Sequence, residues 1–182
     1  NGTTDRLNVF QVNGERAIWP QTYHLEIGND STTQLRKIDY KERVHNIRDS
    51  LIDPKFVFPN AKGDAYGYFK MGTSTKQHYF TTIDTIENST KRAAIWISLY
   101  ENMLNQNIGP KTYLDALISS LPKEKNPLIL SYLNKCLEFI YWKFLSVDQR
   151  EQYASKIEGM LFNRAISDDN YAIRTDFFKT FY

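Results

Sequence analysis

The chain has 182 residues, with 23 Lys or Arg against 21 Asp or Glu and a formal charge of +2. Its 41% hydrophobic and 24% charged residues make an ordinary globular composition, with charges of both signs mixed along the chain as in Lys123-Glu124-Lys125. No basic stripe forms, which excludes nucleic acid as a partner. No window approaches the ~20 apolar residues of a membrane span, and the single Cys136 excludes an internal disulfide framework.

The first 72 residues read as strands. Segments 7–12 and 22–27 partly alternate apolar and polar residues, as half-buried strands do. Gly28-Asn29-Asp30-Ser31 is a turn cluster leading into segment 34–44. Phe56-Val57-Phe58 is a short apolar run stopped by Pro59-Asn60. Tyr66-Gly67-Tyr68-Phe69-Lys70-Met71 reads as a last aromatic strand. A small antiparallel β-sandwich over residues 1–72 is therefore expected.

Beyond Gly72 the apolar period becomes helical. A first helix is expected from Ser74 or Thr75 to about Ile86. Ser89 is read as the N-cap of a second, reaching about Gln106. Gly109-Pro110 opens a third, to about Leu121, because proline suits a first helical turn. Asn126-Pro127 opens a fourth, to about Leu145. Ser146-Val147-Asp148-Gln149 is a capping box for a fifth, to about Ile166. Asp168 or Asp169 is expected to cap a sixth, Tyr171 to about Phe181. Alternate helix starts lie roughly 35–40 residues apart, the spacing of helix-pair repeats. The helices around Trp96 and around Leu137 are apolar on much of their circumference, which calls for neighbours on several sides. The expected fold is α+β and mainly α: a β-sandwich followed by an α-α superhelix of HEAT/armadillo-like helix pairs over residues 73–182, read as truncated.

No complete catalytic set emerges. The residues four after His24, His45 and His78 are Gly28, Asp49 and Thr82, so no helical zinc pair exists. His24 and Glu26 are expected on opposite faces of their strand. Cys136 lies in an apolar helical run and reads as a buried, inert thiol. Asn60 and Asp64 fail the spacing of a calcium loop. Asp84 and Glu87 read as an i, i+3 pair on a helix, and Asp168 with Asp169 as a helix-start pair. Asn1-Gly2-Thr3, Asn29-Asp30-Ser31 and Asn88-Ser89-Thr90 match the glycosylation sequon at a rate chance explains. Catalytic, cofactor-binding and metal-binding residues are accordingly all expected to be absent from this chain.

Three segments carry a resemblance. Trp19-Pro20-Gln21 leads into a strand. Phe58-Pro59-Asn60-Ala61-Lys62-Gly63-Asp64-Ala65-Tyr66-Gly67-Tyr68-Phe69 follows. Lys91-Arg92-Ala93-Ala94-Ile95-Trp96 then continues to Leu99-Tyr100-Glu101-Asn102-Met103. In this order they resemble the C-terminal portion of M1-family zinc aminopeptidases, particularly bacterial members, over most of the chain from about Val9. The resemblance implies a parent enzyme that removes N-terminal residues from peptides. Its zinc would sit in an upstream catalytic domain, bound by a His-Glu-x-x-His helix absent here. That domain and peptide substrates would be the partners. Glu101-Asn102 echoes the family's Gly-x-Met-Glu-Asn segment, but Tyr100 replaces the Met and a helix is expected there, so no role carries over. The polar start, Asn1 to Asn13, shows no signal peptide and no initiator Met. The chain is thus expected to begin inside a longer protein, cytoplasmic or periplasmic. A free-standing helical-repeat interaction module is the alternative reading.

Overall fold

The computed structural model describes residues 6–10, 19–41, 44–48 and 54–182, with only the backbone of 6–10 and 44–48. The chain is α+β and mainly helical. It divides into two compact units, 1–81 and 82–182. The sequence places its boundary at 72/73, where strand text ends. The compact unit runs further because the first helix packs on the sheet.

In the first unit, strands β1 (Arg6–Phe10) and β4 (Val44–Arg48) pair antiparallel. Strands β2 (Gln21–Gly28), β3 (Thr33–Tyr40) and β5 (Phe56–Phe58) form a second antiparallel sheet in the order β3-β2-β5. The β2–β3 hairpin closes through Asn29, whose side-chain oxygen accepts from the N–H groups of Ser31 and Thr32, both at 3.0 Å. This is the side-chain turn that favours asparagine at such corners. One sheet face carries Tyr23, Leu25, Ile27, Ile38 and Tyr40, all buried, with Val57, Ala65 and Phe69 packed against them.

Helix α1 (Thr73–Thr82) packs on the opposite face. Phe56 stacks on His78 with ring centres 3.9 Å apart, and Phe58 meets Tyr79 edge-on at 5.0 Å. The Tyr79 hydroxyl donates to buried Glu26 at 3.3 Å. Thr75 completes the β5 edge: its hydroxyl accepts from Val57 N–H (3.0 Å) and donates to Val57 C=O (3.2 Å). The half-buried edge thereby keeps its Val57 backbone groups paired.

Segment 66–71 is not a strand. Gly67 adopts φ +141°, a conformation outside the pleated range of L residues, and this interrupts the extended run. The segment expected over 34–44 is a strand only to Tyr40, and Val44 opens a separate one; residues 11 and 12 of the first expected strand lie outside the described residues.

The second unit opens with a single 3₁₀ turn (Ile83–Thr85) and contains α2 (Ser89–Leu104), α3 (Pro110–Ser120), α4 (Pro127–Lys143), α5 (Val147–Ser167) and α6 (Tyr171–Phe181). Local chemistry sets most of the starts. Pro110 and Pro127 occupy first turns, and Asn126 accepts from Leu128 and Ile129 N–H. Ser146 and Gln149 form the reciprocal capping box. Two caps differ from expectation. Asn88 caps α2 in place of Ser89, and Asn170 caps α6 in place of Asp168 or Asp169. Asp168 instead ends α5 and pairs with Arg164 at 2.9 Å. Helix α2 packs on α3 and α4, α4 on α3 and α6, and α5 on α6. Trp96, Leu99, Tyr113, Leu117, Leu133 and Phe177 are among the buried core. Burying each such side chain stabilises the unit by roughly 1.5–3 kcal/mol before entropy is counted.

Candidate functional site

The residues that sequence reasoning singled out are dispersed and mostly engaged in structure. His24 and Glu26 share one face of β2, as residues two apart on a strand do, which corrects the expectation of opposite faces. They serve different partners. Glu26 takes the Tyr79 hydroxyl, whereas the His24 ring nitrogen Nδ1 hydrogen-bonds the Asp64 carboxylate. The His24 N–H also donates to Asp64 at 3.3 Å. Burial acts to raise the Asp64 carboxyl, but the His24 hydrogen bonds outweigh it and hold the group below its ordinary value. The His45 side chain lies outside the described residues, and His78 stacks in the α1–β5 contact.

Asn60 builds the loop that carries Asp64. It sits at φ +60°, a left-handed conformation asparagine tolerates. Its side chain accepts from Ala65 N–H (2.8 Å) and donates to Ala65 C=O (3.1 Å). Ala61 N–H donates to His24 C=O at 2.7 Å. The polar groups of segment 59–67 thus fasten the loop to β2.

Cys136 is buried in α4. Burial pushes its thiol up to about 11, against the opposing pull of hydrogen bonds with Tyr132 and Tyr113. A thiol in that state is a poor nucleophile at neutral pH. Glu101-Asn102 lies on α2. Asn102 is fully buried, donates to Ser98 C=O at 2.7 Å and accepts from Asn107 Nδ2 at 2.6 Å. Asp84 and Glu87 do not share a helix: Asp84 is in the 3₁₀ turn and Glu87 in the connector beyond it. Of the sequons, Asn29 and Asn88 hold a hairpin corner and a helix cap, and Asn1 lies outside the described residues.

The densest polar cluster, missed from sequence, centres on Glu124 in the α3–α4 turn. Arg92 Nε and Nη2 donate to its two carboxylate oxygens at 2.9 and 2.7 Å. Lys125 and Asn126 N–H groups also donate to Oε1, at 2.9 and 2.8 Å. Burial raises the Glu124 carboxyl, but these hydrogen bonds hold it below its ordinary value. Arg92 Nη1 further donates to Ile86 C=O (2.6 Å) and Glu87 C=O (2.9 Å). Lys123 pairs with Asp84 at 2.7 Å. A cleft of about 230 Å³ lies here, and a second of about 440 Å³ lies beside Arg164, Asp168 and Asn170. Lys125 borders both. Their charged groups largely neutralise one another. Neither cleft is lined by a histidine or cysteine.

Among the described residues, no group of three or more His, Cys, Asp or Glu is placed to hold a metal ion. No helix among the described residues is long and apolar enough to cross a membrane. Several large apolar side chains stand exposed on the last three helices: Trp142 on α4, Ile166 on α5, Tyr171 and Phe178 on α6. Arg150 lies 5.6 Å over the Trp142 ring, covering part of it with a cation. No protein-family model and no curated protein sequence matches the chain.

Proposed function

We propose that this chain is the C-terminal, non-catalytic part of an M1-type zinc aminopeptidase, and that it shapes the chamber through which peptide substrates reach a zinc held upstream. The observation that carries the reading is the ordered set of three segments, Trp19-Pro20, Phe58 to Phe69 and Lys91 to Met103. In this reading the two β-sheets are parts of a small β-sandwich, and the loop fastened by Asn60 and Asp64 closes it. The helices are the start of a HEAT/armadillo-like superhelix. Successive contacts of α2 with α4 and of α4 with α6 support that stacking. A concave helical wall selects substrates by enclosure and leaves Lewis-acid chemistry to the metal.

The test is an aminoacyl reporter assay on the purified chain with added zinc. No turnover is expected, and zinc-dependent turnover by this chain would overturn the reading. A complete reading frame lacking an upstream His-Glu-x-x-His helix would remove the aminopeptidase assignment.

A free-standing helical-repeat interaction module is the second reading, favoured by the exposure of Trp142 (62%) and Phe178 (58%). Exposed apolar side chains suit a protein partner where they join into one patch. A native polypeptide extending several hundred residues upstream would count against this module.

A further inference from the structure

We propose that the α3–α4 turn is a coupling node, in which Glu124 links the stability of the connector before α2 to that of the α5–α6 hairpin. Two sets of bonds leave the same residue in different directions. Through its carboxylate, Glu124 holds Arg92, and Arg92 in turn holds the connector by the carbonyls of Ile86 and Glu87. Through its backbone carbonyl, Glu124 accepts from Arg164 Nη2 at 3.0 Å. Arg164 belongs to α5, pairs with the C-cap Asp168 and lies 5.1 Å over the ring of Phe177 on α6.

The two directions are joined by the position of the turn itself. The carboxylate accepts from the N–H groups of Lys125 and Asn126, so it fixes the peptide planes that follow residue 124. The Glu124 carbonyl belongs to the first of those planes. If the carboxylate loses its hold, that plane is free to rotate and the carbonyl leaves Arg164. The Arg164 Nε atom is buried and has no partner among the described residues. The guanidinium is therefore held by Asp168 and by the Glu124 carbonyl, and loss of one leaves a half-buried cation, with its Nε already unpartnered, less well satisfied. Substitutions at separate sites ordinarily add, and those sharing a partner do not.

The experiment is a double-mutant cycle on the full 182-residue chain, with Arg92→Lys, Arg164→Lys and the double variant compared by denaturant unfolding. Lysine keeps each charge and removes the forked geometry. The unfolding constant of the double variant should differ at least about threefold from the product expected of independent sites. Independence within error would overturn the proposal.

Hydrogen exchange on Glu124→Gln provides a second reading that does not depend on the cycle. Faster exchange should appear both at Arg92 N–H, which donates to Asn88 C=O at the start of α2, and at Arg174 N–H, which donates to Asn170 C=O at the start of α6. Changes confined to the connector, α2 and residues 125–126 would show a local clasp and overturn the coupling.

Discussion

Gly28 and Phe56 face each other across the β2–β5 ladder, and the Phe56 ring fills the space where a side chain at position 28 would begin. A Cβ built on Gly28 would lie 2.4 Å from the ring, closer than any real contact. Gly28→Ala should therefore force Phe56 away from His78 and Tyr79, costing about 1–3 kcal/mol as an overpacked site does. Urea unfolding measures this. Phe56→Leu should cost less in the alanine background than in the parent chain; simple additivity would show that the two positions do not compete for space.

Thr75 acts at the same sheet through its hydroxyl. Thr75→Val keeps the shape but leaves the Val57 N–H and C=O unpaired at a half-buried edge. A loss of about 1–3 kcal/mol is expected in the same assay. Thr75→Ser keeps the hydroxyl and should lose far less. Equal losses for valine and serine would assign the effect to packing of the methyl group.

Acid should weaken the loop fastened by Asp64. Its folded carboxyl lies below the ordinary 3.8, so its contribution is fully present above that value and is lost as pH falls through the folded one. The side chain is 34% exposed, and solvent screening holds the contribution under about 1 kcal/mol. Asp64→Asn should be less stable than the parent at neutral pH, with the gap closing as pH falls below the ordinary carboxylate value. A gap that persists unchanged in acid would remove the ionised carboxylate from the account.

Cys136 offers a readout of opening in the second unit. Its thiol is raised from 9.0 to about 11, so at pH 8 the thiolate is roughly a hundredfold scarcer than in an unperturbed cysteine. Burial adds to this protection. Maleimide labelling should be slow in native buffer and become fast in denaturant. Full-speed labelling of the native chain would contradict the packing around Tyr113 and Tyr132.

What could be read from the residues depended on how far apart the partners lie. Helix starts at Pro110, Pro127 and Ser146 obey rules contained in three or four residues, and they fall where those rules put them. Asn88 and Asn170 stand next to equally good capping residues, and local propensity does not separate such neighbours. Arg164 decides the second case by engaging Asp168. The aromatic run at 66–71 looks like a strand because its composition is strand-like, while the backbone at Gly67 turns away. The Arg92–Glu124, His24–Asp64 and Val57–Thr75 pairings join residues 32, 40 and 18 apart, and no periodicity or motif encodes them.

The Asn102 turn has a consequence for the order of assembly. Its carbonyl accepts from the N–H groups of Asn107 (2.8 Å) and Ile108 (3.1 Å), and its side chain ties Ser98 to Asn107. These partners lie within 98–108, so closing this corner brings together residues already close along the chain and loses little entropy. Local closures of this kind precede the long-range ones when a chain folds. The α2–α3 corner should then act as an early template, with Asn107 and Ile108 amides protected first in pulse-labelled refolding and the Arg92–Glu124 clasp added afterwards.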